Sequence, residues 1–156
     1  MHTRLALCSL GLVAALPAGV MAAPGFGYSQ SGGSTAITTI STAVPNIVRG
    51  VTVTCPAKGK LWANATGRIT YTAAHPTFSG TVVYALSRNS TAMQPDFQHN
   101  IFGFVDTVVS VPLSIQRVDP CNNNQNVTYR LLATRGTFSA DYTVAKPALV
   151  VSFQPD

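Results

Sequence analysis

The stretch Val51–Tyr71, VTVTCPAKGKLWANATGRITY, decides the fold. Side chains alternate across an extended strand, so Val51, Val53 and Cys55 share one side and Thr52 and Thr54 the other, with Cys55 pointing inward. Pro56 ends that strand and Lys58-Gly59-Lys60 turns. Alternation then resumes, with Leu61, Ala63, Ala65, Ile69 and Tyr71 on one face and Trp62, Asn64, Thr66, Arg68 and Thr70 on the other. Gly67, in the middle, marks a bulge or a close approach of another backbone.

The same period of two recurs outward from these two strands. Thr81–Leu86 groups Val82, Tyr84 and Leu86, and Val105–Ile115 groups Val109, Val111, Leu113 and Ile115. Pro112 falls on the opposite face of that second run, which marks an edge or a bulge. Val127, Tyr129 and Leu131 continue the pattern, Thr137–Val144 shows it weakly, and Leu149, Val151 and Phe153 close the chain. No stretch carries sustained apolar residues at helical spacing. Seven or eight short strands imply an all-β fold, an antiparallel β-sandwich of jelly-roll type. Between Ser87 and Gly103 lie turn residues and then Phe97 and Phe102, with Phe104 just beyond, read as a loop folded down as a lid or, alternatively, presenting some of these rings to a partner.

At the start, Met1–Arg4 is a short basic head and Leu5–Val20 an apolar run too short for a comfortable bilayer span. Small residues follow at Val20-Met21-Ala22, so residues 1–22 read as a signal peptide cleaved before Ala23. The expectation is an exported protein, secreted or periplasmic and not membrane-spanning. Residues 23–34, rich in Gly and Ser, read as a flexible arm that buries too little apolar area to offset the entropy of ordering it. Residues 35–156 are then the β-sandwich domain. Cys8 leaves with the signal peptide, and the remaining pair, Cys55 and Cys121, is expected as a disulfide.

Ten basic residues stand against five aspartates, glutamate is absent, and the formal net charge is +5. The cations are spread along the chain, a solvated surface and not the footprint of a nucleic-acid binder. Catalysis finds little to work with: after cleavage only His75 and His99 remain, there is no G-x-S-x-G elbow, and Asp96 and Asp119 flank prolines and read as turn formers. No catalytic residue and no cofactor is assigned. The alternative in chemistry is a metal-binding protein or metal-dependent hydrolase, with Asp96, His99 and Asp106 converging with His75 on a divalent ion, although the spacing matches no established metal motif.

Trp62 is the best lead for binding. As the only tryptophan it falls on the face of Asn64, Thr66 and Arg68, and an exposed indole among hydrogen-bonding side chains stacks on sugar rings or anchors a protein partner. The competing reading buries Trp62 beneath the Phe-containing loop. Sequons occur at Asn64, Asn89 and Asn126, and mark glycans only in a eukaryotic secretory route. The Thr-rich stretch Thr35–Thr42 shows no repeat of the kind an ice-binding face needs. A loose arm beside an open sheet edge gives a further alternative, a self-assembling surface subunit.

From about Thr38 to Asp156 the order of features resembles small secreted proteins with a C1q/TNF-like jelly roll. The likeness rests on Val51–Leu61 and the strand through Tyr71, on Val111–Arg117 before Val127–Leu131, and on Ala148–Pro155. The resemblance implies a ten-strand jelly roll with adjacent termini, a trimer, and binding rather than catalysis. The aromatic–glycine signature of the last strands is missing, which counts against the trimer. The reading is therefore an exported, non-catalytic binding or structural protein of the cell envelope or the space outside it, taking a glycan or a protein surface through Trp62, Asn64 and Arg68.

Overall fold

Threonine, valine and isoleucine suit a pleated, half-buried surface. In the computed structural model the described residues, 26–30, 32–72, 80–94, 98–103, 108–135 and 142–156, hold strands and no helix. The strands are β1 (Phe26–Gln30), β2 (Ser34–Ile37), β3 (Asn46–Thr54), β4 (Gly59–Thr72), β5 (Gly80–Arg88), β6 (Gln98–Gly103), β7 (Val108–Cys121), β8 (Asn126–Thr134) and β9 (Tyr142–Pro155). One antiparallel sheet runs β1-β9-β4-β7, with β2 also on β9, and the other runs β3-β8-β5-β6. The fold is the expected all-β sandwich of jelly-roll type. Its first and last strands pair, Phe26 opposite Ser152.

The core lies between the sheets. Leu61, Ala63, Ala65 and Ile69 of β4 meet Val51 and Val53 of β3, Val82, Tyr84 and Leu86 of β5, and Val127, Tyr129 and Leu131 of β8 in one buried cluster. The outer face of the second sheet is covered as well, where Met93 packs with Val83, Ala85 and Leu132. β4, the central strand, is paired along its length with β7 on one side and β9 on the other. β7 is an edge strand, which is where Pro112 and Pro120 can sit without removing a hydrogen bond from a second neighbour.

Two bulges keep long strands facing the core. In β9, Tyr142 and Val144 point inward at even positions and Leu149 and Val151 at odd ones. The change of parity falls at Lys146-Pro147, where the register with β4 slips between Thr66 and Arg68. Lys146 takes φ 48° there, and its amide N–H donates to the Gly33 carbonyl at 2.9 Å. Gly67 sits opposite, and a Cβ on it would lie 3.2 Å from Val144 Cγ1, so it serves the close approach read from the sequence. In β3 a second slip, between Ile47 and Arg49, buries Val48 while Val51 and Val53 resume the alternation.

Three segments differ from the sequence reading. Residues 26–30 and 34–37, within and just after the segment read as an arm, are strands β1 and β2 on β9. Their low apolar content is offset because Gly27 lets β1 lie directly over Val51 and Val53. Residues 98–103, read as part of a lid, form β6 on the edge of the second sheet, so extended pairing takes polar residues that the composition assigned to a loop. Phe97 and Phe104 lie outside the described residues. The weak run before Val144 and the strong one after Ala148 are a single strand, because a bulge interrupts periodicity without ending pairing. Of the ten strands the resemblance implied, the described residues hold nine.

Cys55, just after β3, is bonded to Cys121 at the end of β7 with Cα atoms 6.2 Å apart, tying one sheet to the other. Closing a loop of 66 residues contributes on the order of 4 kcal/mol in the chain-entropy account. The residues read as a signal peptide lie outside the described residues. A Gly27→Ala change would set its Cβ against Val51 and 2.6 Å from Val53 Cγ1. We expect it to cost about 1–3 kcal/mol in chemical denaturation and to strip amide-exchange protection from residues 26–30 first; an unchanged midpoint and unchanged protection would show that β1 is not docked in this way.

Candidate functional site

The outer face of the β1-β9-β4-β7 sheet takes the even-numbered residues of β4. Register sets them in rows across the strands. Trp62 lies between Val118 of β7 and Ser152 of β9, and Ser152 in turn faces Phe26 of β1. In the next row Asn64 lies between Gln116 and Val150, and Val150 faces Tyr28. Large apolar side chains are open to solvent along this face: Phe26 is 58% exposed, Tyr28 53%, Trp62 47% and Val118 42%. The Trp62 indole N–H donates to Gln154 Oε1 at 3.0 Å, which fixes the ring's edge and leaves a face available. Trp62 is thus at the surface, and the alternative that buries it does not describe this structure.

Arg68 lies two rows further along, between Pro112 of β7 and Ala145 of β9. The bulge opens the sheet surface there into a hollow of about 540 Å³ lined by Thr66, Gly67, Arg68, Thr70, Ser110, Ala145 and Lys146. Short side chains make the space, and two cations border it. No ion pair joins either cation to a carboxylate among the described residues. The sequence reading named Arg68 but not Lys146, which stands out only once the bulge turns it outward.

A second polar cluster is buried, and the sequence reading missed it. The alternation of Leu113 and Ile115 continues on β7 through Arg117, Asp119 and Cys121, all of them inward and buried. The Arg117 guanidinium grips Asp119 with two hydrogen bonds, Nε to Oδ2 at 2.6 Å and Nη2 to Oδ1 at 3.0 Å. Its Nη1 donates to the Leu86 carbonyl at 3.1 Å and to Gln94 Oε1. Tyr129 donates its hydroxyl to Asp119 Oδ2 at 2.8 Å, and Arg88 Nη1 stands 3.7 Å from Oδ1. Two corrections follow: Asp119 is a strand residue and not a turn former, and Arg117 is not a solvated surface charge. Both were legible in the alternation, which their charge and the neighbouring Pro120 masked.

The remaining candidates divide plainly. His75, Asp96 and Asp106 lie outside the described residues; His99 is in β6 opposite Tyr84. Among the described residues no group of three His, Cys, Asp or Glu converges as a metal site would need. Of the sequon asparagines, Asn64 is exposed on the outer face. Asn89 Oδ1 accepts the Thr128 amide N–H at 2.8 Å, and Asn126 Oδ1 accepts the Thr54 hydroxyl at 2.6 Å. Asn89, at φ 51°, also donates its amide N–H to the Thr128 carbonyl, so it extends the β5–β8 pairing past the end of β5.

No family model matches the chain, and no curated protein matches it. Among solved structures it is similar to the Eiger TNF of S. frugiperda, at 12% identity and a TM-score of 0.40, with 85% of this chain aligned to 92% of that one. That is a distant likeness to a TNF-like jelly roll, confined to the fold.

Two measurements probe the buried cluster. Asp119→Asn keeps the shape but leaves Arg117 buried without its counter-charge, and we expect a loss of about 3–5 kcal/mol in urea unfolding; a loss below about 1 kcal/mol, the scale of an exposed pair, would show the pair to be solvated. Burial first, then the Asp119 carboxylate beside it, pushes the Tyr129 phenol well above its ordinary 10.0, and burial does the same to Tyr142. A raised pKa in the folded state stabilises fully below the unfolded value and is lost as pH climbs above it. Stability is therefore expected to fall from about pH 10 upward, with tyrosinate absorbance at these two residues rising together with unfolding; smooth ionisation at pH 10 of a still-folded chain would contradict it.

Proposed function

We propose that this chain is an exported, non-catalytic binding protein, and that the outer face of the β1-β9-β4-β7 sheet is its binding surface, with Trp62, Asn64 and Arg68 as contact residues and a glycan as ligand. One observation carries the reading: the only tryptophan stands exposed on the central strand, in line with an amide and a guanidinium, with a hollow edged by cations further along the same face. An indole fixed by one hydrogen bond offers a flat apolar ring with little rotamer entropy left to lose, which suits stacking on the apolar face of a sugar. Buried apolar side chains from both sheets stiffen β4 from beneath. The disulfide between Cys55 and Cys121 accords with folding in an oxidising compartment.

A second reading is favoured by Phe26, Tyr28 and Val118, which extend the exposed apolar surface across three strands. On that reading the same face packs against another copy of the chain, as a self-assembling surface subunit would.

Trp62→Ala separates the two. A binding face predicts that the variant melts within about 1 kcal/mol of the parent yet is no longer retained by the envelope polysaccharide that shields Trp62 from acrylamide quenching. Assembly predicts that the parent sediments as a concentration-dependent oligomer, and that Phe26→Ala with Trp62→Ala returns it to a monomer. A parent protein that is monomeric at all concentrations, with a Trp62 that no polysaccharide protects, would end both readings.

A further inference from the structure

We infer that the ligand is an acidic polysaccharide laid along β4, its anionic groups held by Arg68 and Lys146 in the hollow at the β9 bulge; this rests on the proposed binding face and names the chemistry that face selects. Along the outward face of β4 the order is Lys60, Trp62, Asn64, Thr66, Arg68, all exposed. Lys60 and Arg68 are separated by eight residues of strand, roughly 26 Å, a length that several sugar units of an extended chain would cover. Cations at the ends with an aromatic and hydrogen-bonding groups between them suit a polymer whose charges are spaced apart by uncharged rings. A nucleic acid, charged at every phosphate, calls for a denser basic track than this.

The hollow is built for an oxyanion. Arg68 offers a planar fork that matches a carboxylate or a sulfate, and Lys146 adds a point charge. The Thr66, Thr70 and Ser110 residues lining the same space bring hydroxyl groups to hydrogen-bond the anion or its ring. Among the described residues neither cation is paired with a carboxylate. Of the aspartates among the described residues, Asp119 is held by Arg117 and Arg88, and Asp156 stands 3.8 Å from Lys58. Lys146 is also a lysine in the left-handed region, at φ 48°, a conformation that costs about 1–2 kcal/mol outside glycine. The bulge alone needs an extra residue, not a lysine, so the sequence places a cation at a strained position that faces the hollow.

The test is calorimetric titration of the exported chain with three oligosaccharides of equal length: a hyaluronan oligomer, whose carboxylate-bearing rings alternate with uncharged ones, its fully methyl-esterified form, and a sulfated glycan. The two acidic arms distinguish carboxylate from sulfate as the anion, and the ester removes charge from an unchanged backbone. We expect at least one acidic oligomer to bind ten or more times tighter than the ester. Arg68→Gln and Lys146→Gln should each weaken it about tenfold, the scale of one charge-assisted contact, while both variants melt like the parent. Equal affinity for acidic and esterified forms, no binding of either acidic oligomer, or full acidic binding by Arg68→Gln/Lys146→Gln would overturn the inference. Acrylamide quenching in the same titrations tells the two failures apart. If the ester alone protects Trp62, the binding face stands without its anion site; if no oligomer protects Trp62, both fall.

Discussion

Asp119 is a buried carboxylate set between two sheets that otherwise meet through apolar contacts, the disulfide, and single hydrogen bonds such as that from the Tyr142 hydroxyl to the Thr134 carbonyl. Arg117 comes to it from its own strand, Tyr129 and Arg88 from the opposite sheet, and the Cys55–Cys121 bond closes two residues away. A buried charge with excellent partners adds little net stability compared with apolar packing, but it tolerates very few alternative arrangements. Its directional bonds specify how far β7 slides along the second sheet, where hydrophobic contacts alone are permissive. Since β7 pairs residue for residue with β4, that choice of register passes to the strand that carries Trp62 and Arg68.

The second constraint is the extra residue in β9. A fourteen-residue strand with strict alternation would have turned either Tyr142 and Val144 or Leu149 and Val151 to solvent. Inserting one residue at Lys146-Pro147 lets both pairs face the core. The same insertion brings the β9 backbone close to Gly67, and the small residues around it leave the hollow unfilled. Core packing and surface shape are thus consequences of one local irregularity, and a cation is exposed at its apex.

Much of this was legible from the residues because alternation is a strong signal where one face is apolar and the other rich in threonine. It gave the faces of β3 and β4, the inward Cys55, the outward Trp62 and Arg68, and the edge position of Pro112. It failed where a second influence competes with period. Arg117 and Asp119 are charged, so their inward positions went unread although they continue the series of Leu113 and Ile115. β1 has almost no apolar residue to bury and is held by its pairing with β9 and by the closeness Gly27 permits, neither of which a composition count registers. β6 was hidden because its side chains resemble a loop's, and its pairing partner, β5, is distant in character. Lys146 could not be placed at all without the bulge, since the residues on either side of it belong to opposite parities.

These two constraints together support the proposal that the outer face serves recognition. Catalytic groups work by having their proton affinities set apart through burial and mutual contact. Here the titratable side chains of the described face are exposed and spaced along a strand, whereas the groups brought into close contact, Arg117, Asp119 and Tyr129, are sealed between the sheets. A flat, rigid, solvent-open strand with one aromatic ring and well-separated cations offers a ligand positions to occupy and little to react with. If the proposed binding face takes an extended glycan, affinity on such a surface accumulates from several modest contacts, so shortening that oligosaccharide should weaken binding steeply while leaving the contribution of each remaining contact intact.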